Sequence, residues 1–345
     1  MKQVLLGVLA LWWLPACASE CTLLRDNASG VVGMDGSAST ALGDGRSLFV
    51  FGDTFFGSIN GGNGENGERE IREMVDYSFA IVSDAAAGEC FAGASIVRDR
   101  VERDAGWESG DRFWPGHGLR VGNAIVLFFV HARVTDPTDS FGFEVRGAGV
   151  VSGPADDLHF DLAEARYLPS GYLPGALLTH AGSAYVYLCR PDIGFECVLA
   201  RTTPERLARP SSYQYYVAGR GYGGALEEAS VVVSASAEFS VSFIDALGGF
   251  VVVDIEPFAG EITMRKGGAP EGPFSERQSL LPCRLRDDEF CYGAKLHPQL
   301  SVDGLGFIYV TYNTNLMQYD PRSYADRPEL YWPRLVRLEL SEVAD

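Results

Sequence analysis

Five very apolar segments recur along the chain, and each follows a short turn that contains glycine. The segments are SLFVFGDT from Ser47, AIVLFFVHAR from Ala124, SAYVYLCR from Ser183, GFVVVDIE from Gly249 and GFIYVTYN from Gly306. Runs of this composition are typical of strands, and glycine supplies the positive φ that tight hairpin turns require. A further strand follows each hairpin. Five such units predict an all-β fold, a five-bladed β-propeller with about four antiparallel strands per blade. A two-sheet sandwich would not explain the repeat.

The N-terminus has the pattern of an export signal. Lys2 provides the positive charge, and an apolar run from Val4 to Leu14 is too short to span a bilayer comfortably. The sequence LPAC at 14–17 resembles a lipobox with Cys17 as the acylated residue, whereas cleavage after Ala18 is the alternative. We therefore expect a signal peptide at 1–18, an N-terminal segment at 19–30 and a single propeller domain at 31–345. The exported protein would be a cell-surface or periplasmic lipoprotein, or it would be secreted.

The charge of the chain limits its partners. The sequence has 28 basic and 46 acidic side chains, which gives a formal net charge of −18. A surface this acidic repels phosphate backbones and anionic lipids, so we expect neither nucleic acid nor direct electrostatic docking on a membrane. A membrane contact would come only from the N-terminal lipid, and we expect a monomer.

Six of the seven cysteines are predicted to form three disulfides. Cys189 and Cys197 flank RPDIGFE, Cys283 and Cys291 flank RLRDDEF, and Cys21 with Cys90 follows by elimination once Cys17 is set aside. Disulfides agree with an oxidising compartment. The alternative, a metal site, is disfavoured because no cysteine or histidine spacing matches a zinc motif.

A set of ordered motifs resembles one family. The motifs are MDGSAST, DGRSLFVFGDTFFG, FWPGHG, APEGPF, YGAKLHPQLS and YVTYNTN. Together they resemble the bacterial domain-of-unknown-function 4185 family over residues 31–340. The resemblance implies a five-bladed propeller similar to glycoside hydrolase families 43, 62 and 117 and to the endo-D-arabinanases of family 183. It also implies an extracellular or cell-wall polysaccharide as substrate, with an arabinan as one option.

Propeller topology gathers polar residues at one end of the axis, because strand one of each blade starts where strand two ends. Asp35 is the expected general base, on its position and on the resemblance. Asp53, on the paired strand, is either the proton donor or a neighbour that tunes Asp35, since glycoside hydrolysis needs two carboxyls. The same topology also brings Glu238 to this mouth, without a specific role. Further candidates for the proton donor are Glu228, Asp254 and Glu256.

The mouth also gathers candidate sugar-binding side chains, because sugars need dense hydrogen bonding and aromatic faces. These are Trp114, His117, Arg133, Tyr172, Tyr292, Lys295, His297 and Asn313. Each has a structural alternative: the aspartates could cap turns, the histidines could be satisfied core residues, and Trp114 could be packing. No organic cofactor or catalytic metal motif is recognisable, and a structural Ca²⁺ at the axis is a further option.

Two functions of different classes fit these residues. The first is a glycoside hydrolase that uses paired carboxylates at the propeller mouth. The second is a non-catalytic surface propeller that binds a glycan or a protein partner, since propellers serve many functions. Converging carboxyls would favour the first, and aromatic platforms without a carboxylate pair would favour the second.

Overall fold

Each apolar segment of the sequence forms the second strand of a separate antiparallel sheet, and the five sheets are the blades of a propeller. The computed structural model describes residues 19–60, 67–193, 195–256, 259–301 and 306–343. The predicted signal peptide and Cys17 lie outside these residues. The five-bladed propeller expected from the repeat is confirmed.

The strands have the following bounds in chain order. The first thirteen are β1 (Ser19–Thr22), β2 (Val31–Ala41), β3 (Arg46–Asn60), β4 (Glu68–Val75), β5 (Ser78–Ser83), β6 (Ile96–Val97), β7 (Val101–Glu102), β8 (Asp111–Val121), β9 (Ala124–Val134), β10 (Phe143–Pro154), β11 (Phe160–Asp161), β12 (Arg166–Tyr167) and β13 (Leu173–His180). The others are β14 (Ser183–Arg190), β15 (Glu196–Thr202), β16 (Gln214–Val217), β17 (Gly221–Gly224), β18 (Val231–Ser234), β19 (Ser240–Ile244), β20 (Gly249–Ile255), β21 (Glu261–Gly267), β22 (Gln278–Pro282), β23 (Glu289–Leu296), β24 (Phe307–Leu316) and β25 (Arg334–Glu339).

Helices contribute little to the described chain. Two short α-helices are α1 (Pro321–Asp326) and α2 (Leu340–Val343). Single 3₁₀ turns lie at Asp84–Glu89, Leu162–Glu164, Pro191–Ile193, Pro204–Arg206, Pro210–Ser212, Leu226–Glu228, Asp245–Leu247 and Pro298–Leu300. Within the described ranges, none of the helices has the length and apolar character needed to cross a membrane.

The blades follow one another around the axis in chain order. From the axis outwards they are β2-β3-β5-β6, β8-β9-β10-β12, β13-β14-β15-β16-β17, β19-β20-β21-β22 and β23-β24-β25-β1. Strand β4 pairs with the far end of β3, β18 pairs with β15, and β7 with β11 makes a short parallel pair. The innermost strands β2, β8, β13, β19 and β23 contact one another in a ring, so strand starts from every blade meet at one mouth.

The hydrophobic core lies between neighbouring blades. On β3, Phe49 and Phe51 pack toward blade five, whereas Leu48 and Val50 pack toward blade two. Successive side chains of a strand point to opposite faces, and here both faces are covered. This is why the second strand of each blade reads as a continuous apolar run.

Both ends of the chain contribute to blade five. Strand β1 pairs antiparallel with β25, with Cys21 opposite Leu335, and forms the outer edge of the blade. The Cys21–Cys90 disulfide then ties this strand to blade one. The other two predicted disulfides, Cys189–Cys197 and Cys283–Cys291, are also present. All three pairings expected from the sequence are therefore confirmed.

Candidate active site

Asp35 lies in an irregular part of the innermost strand of blade one. The pairing of β2 with β3 shifts register between Met34 and Gly36, so Asp35 has no direct partner in the ladder. The neighbouring strand passes so close that a Cβ atom at position 52 would lie 2.6 Å from Asp35 Oδ1. Gly52 is therefore required for the Asp35 carboxyl to occupy this place.

Similar irregularities occur in the innermost strands of three other blades. The shifts lie between Pro115 and Gly118 on β8, between Pro174 and Ala176 on β13, and between Tyr292 and Lys295 on β23. A bulge leaves one or more residues unpaired and re-aims their side chains. The bulges therefore direct residues such as Asp35 and His117 away from the regular alternation of the strand.

The environment of Asp35 holds its proton more tightly than usual. Burial raises the pKa of Asp35 to about 7, and the neighbouring charge of Asp53 adds to this rise. The Tyr292 hydroxyl donates a 2.7 Å hydrogen bond to Asp35 Oδ2, which lowers the pKa without cancelling the effect of burial. The Tyr331 hydroxyl acts in the same direction. Asp35 therefore exchanges its proton near neutral pH, as a general acid or base must.

Asp53 lies on the second strand of the same blade and has a milder environment. Burial raises the pKa of Asp53 to about 6. The indole N–H of Trp114 donates a 3.1 Å hydrogen bond to Asp53 Oδ1, and Arg112 Nε lies 3.8 Å from the same oxygen. Both neighbours lower the pKa and so partly offset the burial. The two carboxyls of blade one thus differ in their partners.

A third carboxyl, Glu238, faces the same space from blade four. Lys295 Nζ donates a hydrogen bond to Glu238 Oε2, and it also lies 3.5 Å from the Gly36 carbonyl oxygen and 3.2 Å from that of Gly293. Lys295 is only 2% exposed, whereas the Glu238 side chain is 45% exposed. The negative charge of Glu238 contributes to the raised pKa of Asp35, so the two acids interact electrostatically.

Asn313 contributes an amide to the same region. Its Nδ2 donates a 3.1 Å hydrogen bond to the Gly36 carbonyl oxygen. Its Oδ1 is buried and accepts no hydrogen bond from the residues that the structure describes. Buried polar atoms are nearly always paired in native proteins. Asn313 is fully buried, so this unpaired oxygen lies inside the fold beside Gly36.

His117 connects blades two and four across the axis, and His297 connects blade five to the neighbouring blade one. His117 Nε2 donates a 2.7 Å hydrogen bond to the Phe239 carbonyl oxygen, and the ring nitrogens of His297 contact the hydroxyls of Ser39 at 2.6 Å and Thr311 at 2.7 Å. Burial, together with the nearby Lys295 charge, lowers the pKa of His117 to about 4 and that of His297 to about 3. Both rings are neutral at neutral pH, and their partners are protein groups, as in satisfied core histidines.

The three acids considered from the sequence as further proton donors lie apart from Asp35. Asp254 is fully buried and ion-pairs with Arg265 and Arg277, and Glu228 is exposed and pairs with Arg220. Glu256 is exposed after the end of β20. None of the three is among the groups that perturb Asp35 or Asp53.

Two of the expected sugar-binding residues are engaged elsewhere. Arg133 forms ion pairs with Asp111 at 2.7 Å and with Glu108 at 2.9 Å. Tyr172 packs against the hydrophobic cluster between blades two and three. The structure therefore brings together Asp35, Asp53, Trp114, Tyr292, Lys295 and Asn313, and it adds Glu238 to them.

The sequence analysis placed Glu238 at the mouth but did not predict its contact with Lys295 or its electrostatic influence on Asp35. Glu238 comes two residues before β19, the innermost strand of blade four. This is the part of a blade that faces the mouth, and that position was the available signal. Phe143 was also missed; its ring lies 4.8 Å from that of Trp114.

The acidic side chains do not form a recognisable metal site. Among residues that the structure describes, no group of three or more histidine, cysteine, aspartate or glutamate side chains could hold a metal ion. A structural Ca²⁺ stays a prediction that this geometry does not test.

Comparison with solved structures shows the same fold in several proteins. A hydrolase candidate from Bacteroides ovatus is 18% identical with a TM-score of 0.66, covering 90% of this chain and 86% of its own. The xylose complex of a GH43_1 enzyme from Xanthomonas citri is 13% identical with a TM-score of 0.52, covering 91% of both chains. The catalytic domain of a GH62 α-L-arabinofuranosidase from Coprinopsis cinerea is 10% identical with a TM-score of 0.51, covering 93% of this chain and 96% of its own. At these identities the likeness shows the fold alone.

Sequence comparison corrects the family expected from the motifs. The chain has no significant match among curated proteins. The family whose pattern fits it is DUF5005, described as a domain of unknown function, and not the 4185 family that the motifs resemble. The expected likeness to the propellers of glycoside hydrolase families 43 and 62 holds at the level of fold. Since the match extends over residues 22–340, nearly the whole described chain, the protein belongs to the DUF5005 family.

Proposed function

We propose that this protein is a glycoside hydrolase that acts on an exported or cell-wall polysaccharide. The observation that carries the proposal is that Asp35 of blade one and the half-exposed Glu238 of blade four, from opposite sides of the axis, interact electrostatically at one mouth. Hydrolysis of a glycosidic bond needs two carboxyls that flank the bond. The likeness of the fold to propellers from families 43 and 62 supports the same reaction class by analogy.

Asp35 is the general base in this proposal. A base works best when its pKa lies near the working pH, and the pKa of Asp35 is raised to about 7. Hydrogen bonds from the hydroxyls of Tyr292 and Tyr331 orient its carboxylate. Asp53 lies next to Asp35 and sustains the raised pKa through its charge.

Glu238 is the proton donor in this proposal. Its side chain is the more exposed of the pair and stands at the start of the innermost strand of blade four, across the mouth from blade one. Lys295 fixes the position of its carboxyl through a direct hydrogen bond. Trp114 and Phe143 offer aromatic rings to a sugar.

A substrate screen tests the proposed reaction. The purified protein would be incubated with linear and branched arabinans, arabinogalactans, xylan and bacterial cell-wall glycans, and released sugars would be measured. We expect at least one of these glycans, with arabinan first, to be hydrolysed by the wild type and not by Glu238→Gln. Glycan binding without hydrolysis in the wild type would instead support a non-catalytic propeller.

The distinction between donor and base can be made with leaving groups. A variant that lacks the proton donor keeps activity on aryl glycosides whose leaving group needs no protonation, whereas a variant that lacks the base does not. We therefore expect Glu238→Gln to cleave an activated aryl glycoside much faster than it cleaves a glycan. Asp35→Asn should be impaired on both. The reverse pattern would exchange the two roles.

The location of the protein is a related proposal. Three disulfides agree with folding in an oxidising compartment. We propose that the N-terminal signal exports the chain and that Cys17 carries the lipid. Wild-type protein should then partition with membranes, and Cys17→Ser should release it. Wild-type protein found only in the soluble fraction would favour ordinary secretion.

A further inference from the structure

We propose that the mouth accepts the end of a glycan chain and not an internal segment. The terminal sugar would lie against a high rim on blades five, one and two, and the rest of the chain would leave over blades three and four. This inference rests on the proposed hydrolase function and adds its mode of attack.

The rim is high at blade one because a strand continues far beyond the carboxylates. Strand β3 carries Asp53 and extends to Asn60, paired with β4 from Glu68 to Val75. At about 3.3 Å per residue, the seven residues after Asp53 reach roughly 20 Å along the strand. This hairpin therefore stands above the level of Asp35 and Asp53.

Blade five contributes a long connection that packs against this hairpin. Residues 317–333 link β24 to β25 and include α1. The ring of Phe55 on β3 lies 4.7 Å from that of Tyr331 and 5.9 Å from that of Tyr324. Arg69 on β4 is almost fully buried and donates hydrogen bonds to the carbonyls of Pro328 and Leu330, at 2.8 and 2.6 Å. The two segments thus form one continuous wall.

Blade two extends the wall from the other side. Residues 135–142 link β9 to β10 and bring the Phe141 ring within 5.3 Å of the Phe290 ring on blade five. Blade one lies between these two blades around the axis, so the contact crosses its edge of the mouth. We call residues 54–60, 68–77, 135–142 and 317–333 together the high rim.

The connections on the opposite side of the mouth are short, and we call this the low side. In blades three and four the corresponding links between the second and third strands are only 191–195 and 256–260. The link between these blades, 235–239, is equally short and carries Glu238. Of the three acids at the mouth, Glu238 therefore stands on the low side, while Asp35 and Asp53 lie beneath the high rim.

This asymmetry fixes the direction of the substrate. The proton donor must lie beside the leaving group, and Glu238 lies where a chain can leave freely. On the high side, Phe141 and Phe143 are 47% and 38% exposed, although their rings are large and apolar. Exposed rings beside a polar mouth suit stacking against a sugar. A terminal sugar held there has no room to continue through the high rim, so cleavage releases it from the chain end.

Product analysis on linear α-1,5-arabinan, linear β-1,4-xylan and β-1,3-galactan tests the proposal. The wild type should release a single short product from the first minutes, while the viscosity of the polymer falls slowly. An early mixture of oligosaccharides with a rapid fall in viscosity would overturn the inference and leave the hydrolase function standing. Neither cleavage nor binding on these glycans or in the wider screen would overturn both.

A binding measurement gives a readout that does not depend on turnover. The Asp35→Asn variant would be titrated with the same polymers and with their partial acid hydrolysates at equal mass. At equal mass a hydrolysate contains more chain ends than the intact polymer. If the protein recognises chain ends, its apparent affinity per unit mass should rise in proportion to the number of chains. Affinity that follows polymer mass alone would mean that internal segments bind, and the proposal would fail.

Opening the rim should change the products. Phe141→Ala removes the ring that contacts Phe290, and we expect about 2–10-fold weaker binding of the chain end together with the appearance of oligosaccharides. Tyr167→Ala is the matched control, since Tyr167 is 50% exposed on β12 at the outer edge of blade two. Thermal midpoints of both variants would show whether they are folded. Folded Phe141→Ala with unchanged affinity and products would contradict the role of the rim.

Discussion

Asp35 lies on the first strand of blade one, and Asp254 lies on the second strand of blade four. The surroundings of the two carboxyls differ in kind. Asp254 is fully buried, and its Oδ2 accepts hydrogen bonds from Arg265 at 2.9 Å and Arg277 at 3.0 Å. The largest influences on the pKa of Asp35 are its burial, two hydroxyls and two further acids, and no ion pair with Asp35 is present among the described residues. The first carboxylate is neutralised within the fold, and the second is not.

The difference separates a carboxyl that stabilises the fold from a carboxyl that can take part in a reaction. A buried charge is tolerated when it is paired and hydrogen-bonded, and removal of one partner then leaves the other uncompensated. A carboxyl that lacks a cation instead keeps its proton to higher pH. A perturbed pKa in a cleft therefore points to function, whereas a fully buried carboxylate held between two cations, such as Asp254, points to stability.

The largest expected effect is on turnover in Asp35→Asn. Asparagine keeps the shape and most hydrogen bonds but cannot accept a proton. We expect the rate on the best glycan from the screen to fall by about 10²–10⁴ with folding intact. Asp254→Asn, corrected for its folded fraction, should retain wild-type turnover. Equal losses of activity in the two variants would contradict the distinction between a catalytic Asp35 and a structural Asp254.

The next effect is on the stability of Asp254→Asn. The substitution leaves Arg265 and Arg277 without their counter-charge, and we expect a loss of about 3–5 kcal/mol in the free energy of unfolding. Denaturant unfolding at neutral pH would measure it. Asp192→Asn is the control, because Asp192 pairs with Arg190 on the exposed surface and should change stability by less than about 1 kcal/mol. Equal losses in both variants would refute the buried-pair argument.

A smaller effect is the pH dependence of stability in Asp35→Asn. The folded pKa of Asp35 is about 7 and its ordinary value is 3.8, so the folded state keeps a proton that the unfolded chain has lost between these pH values. This contribution to stability is present at low pH and is lost as the pH rises toward 7. Relative to the wild type, Asp35→Asn should therefore gain about 3–4 kcal/mol between pH 4 and pH 8. A constant difference in thermal unfolding across this range would argue against the raised pKa.

The smallest effect concerns the hydrogen bond between Trp114 and Asp53. Trp114→Phe keeps an aromatic ring beside Phe143 but removes the N–H donor, so the pKa of Asp53 should rise above about 6. We expect an upward shift of roughly 0.5–1 unit in the titration of the Asp53 carboxyl, measured by carbon NMR. Phe143→Leu would control for the loss of ring packing alone. An unchanged titration would mean that Trp114 serves only as packing.

Much of the fold was predictable because it depends on local patterns. The second strands bury both faces between blades, and Phe49 with Leu48 shows how neighbouring residues serve opposite interfaces. This produces five apolar runs that can be read without a structure. The two short disulfide loops could be predicted for the same reason, because each closes near a single hairpin. The proximity of Asp35 and Asp53 could also be predicted, because both lie on the first hairpin.

The site was only partly predictable because its energetics depend on contacts between blades. Asp254 and Glu238 were both gathered at the mouth by topology. The structure shows that their environments differ. Arg265 and Arg277 neutralise Asp254. Lys295 of blade five instead holds the Glu238 carboxyl close to Gly36. Their partners come from other strands or blades, and sequence spacing does not reveal such pairings.

The sequence by itself determined the number of blades, the three disulfides and the end of the axis where acids collect. Strand alternation, turn chemistry and the closure of the two short disulfide loops are local effects that a linear pattern records, whereas the Cys21–Cys90 pair, 69 residues apart, followed by elimination. The tertiary structure alone decided which carboxyls are neutralised, which remain perturbed, and that the rim is high over blades five, one and two. Those properties arise from burial and from charge pairing between different strands and blades, and the burial of a charge is set only once the blades have assembled.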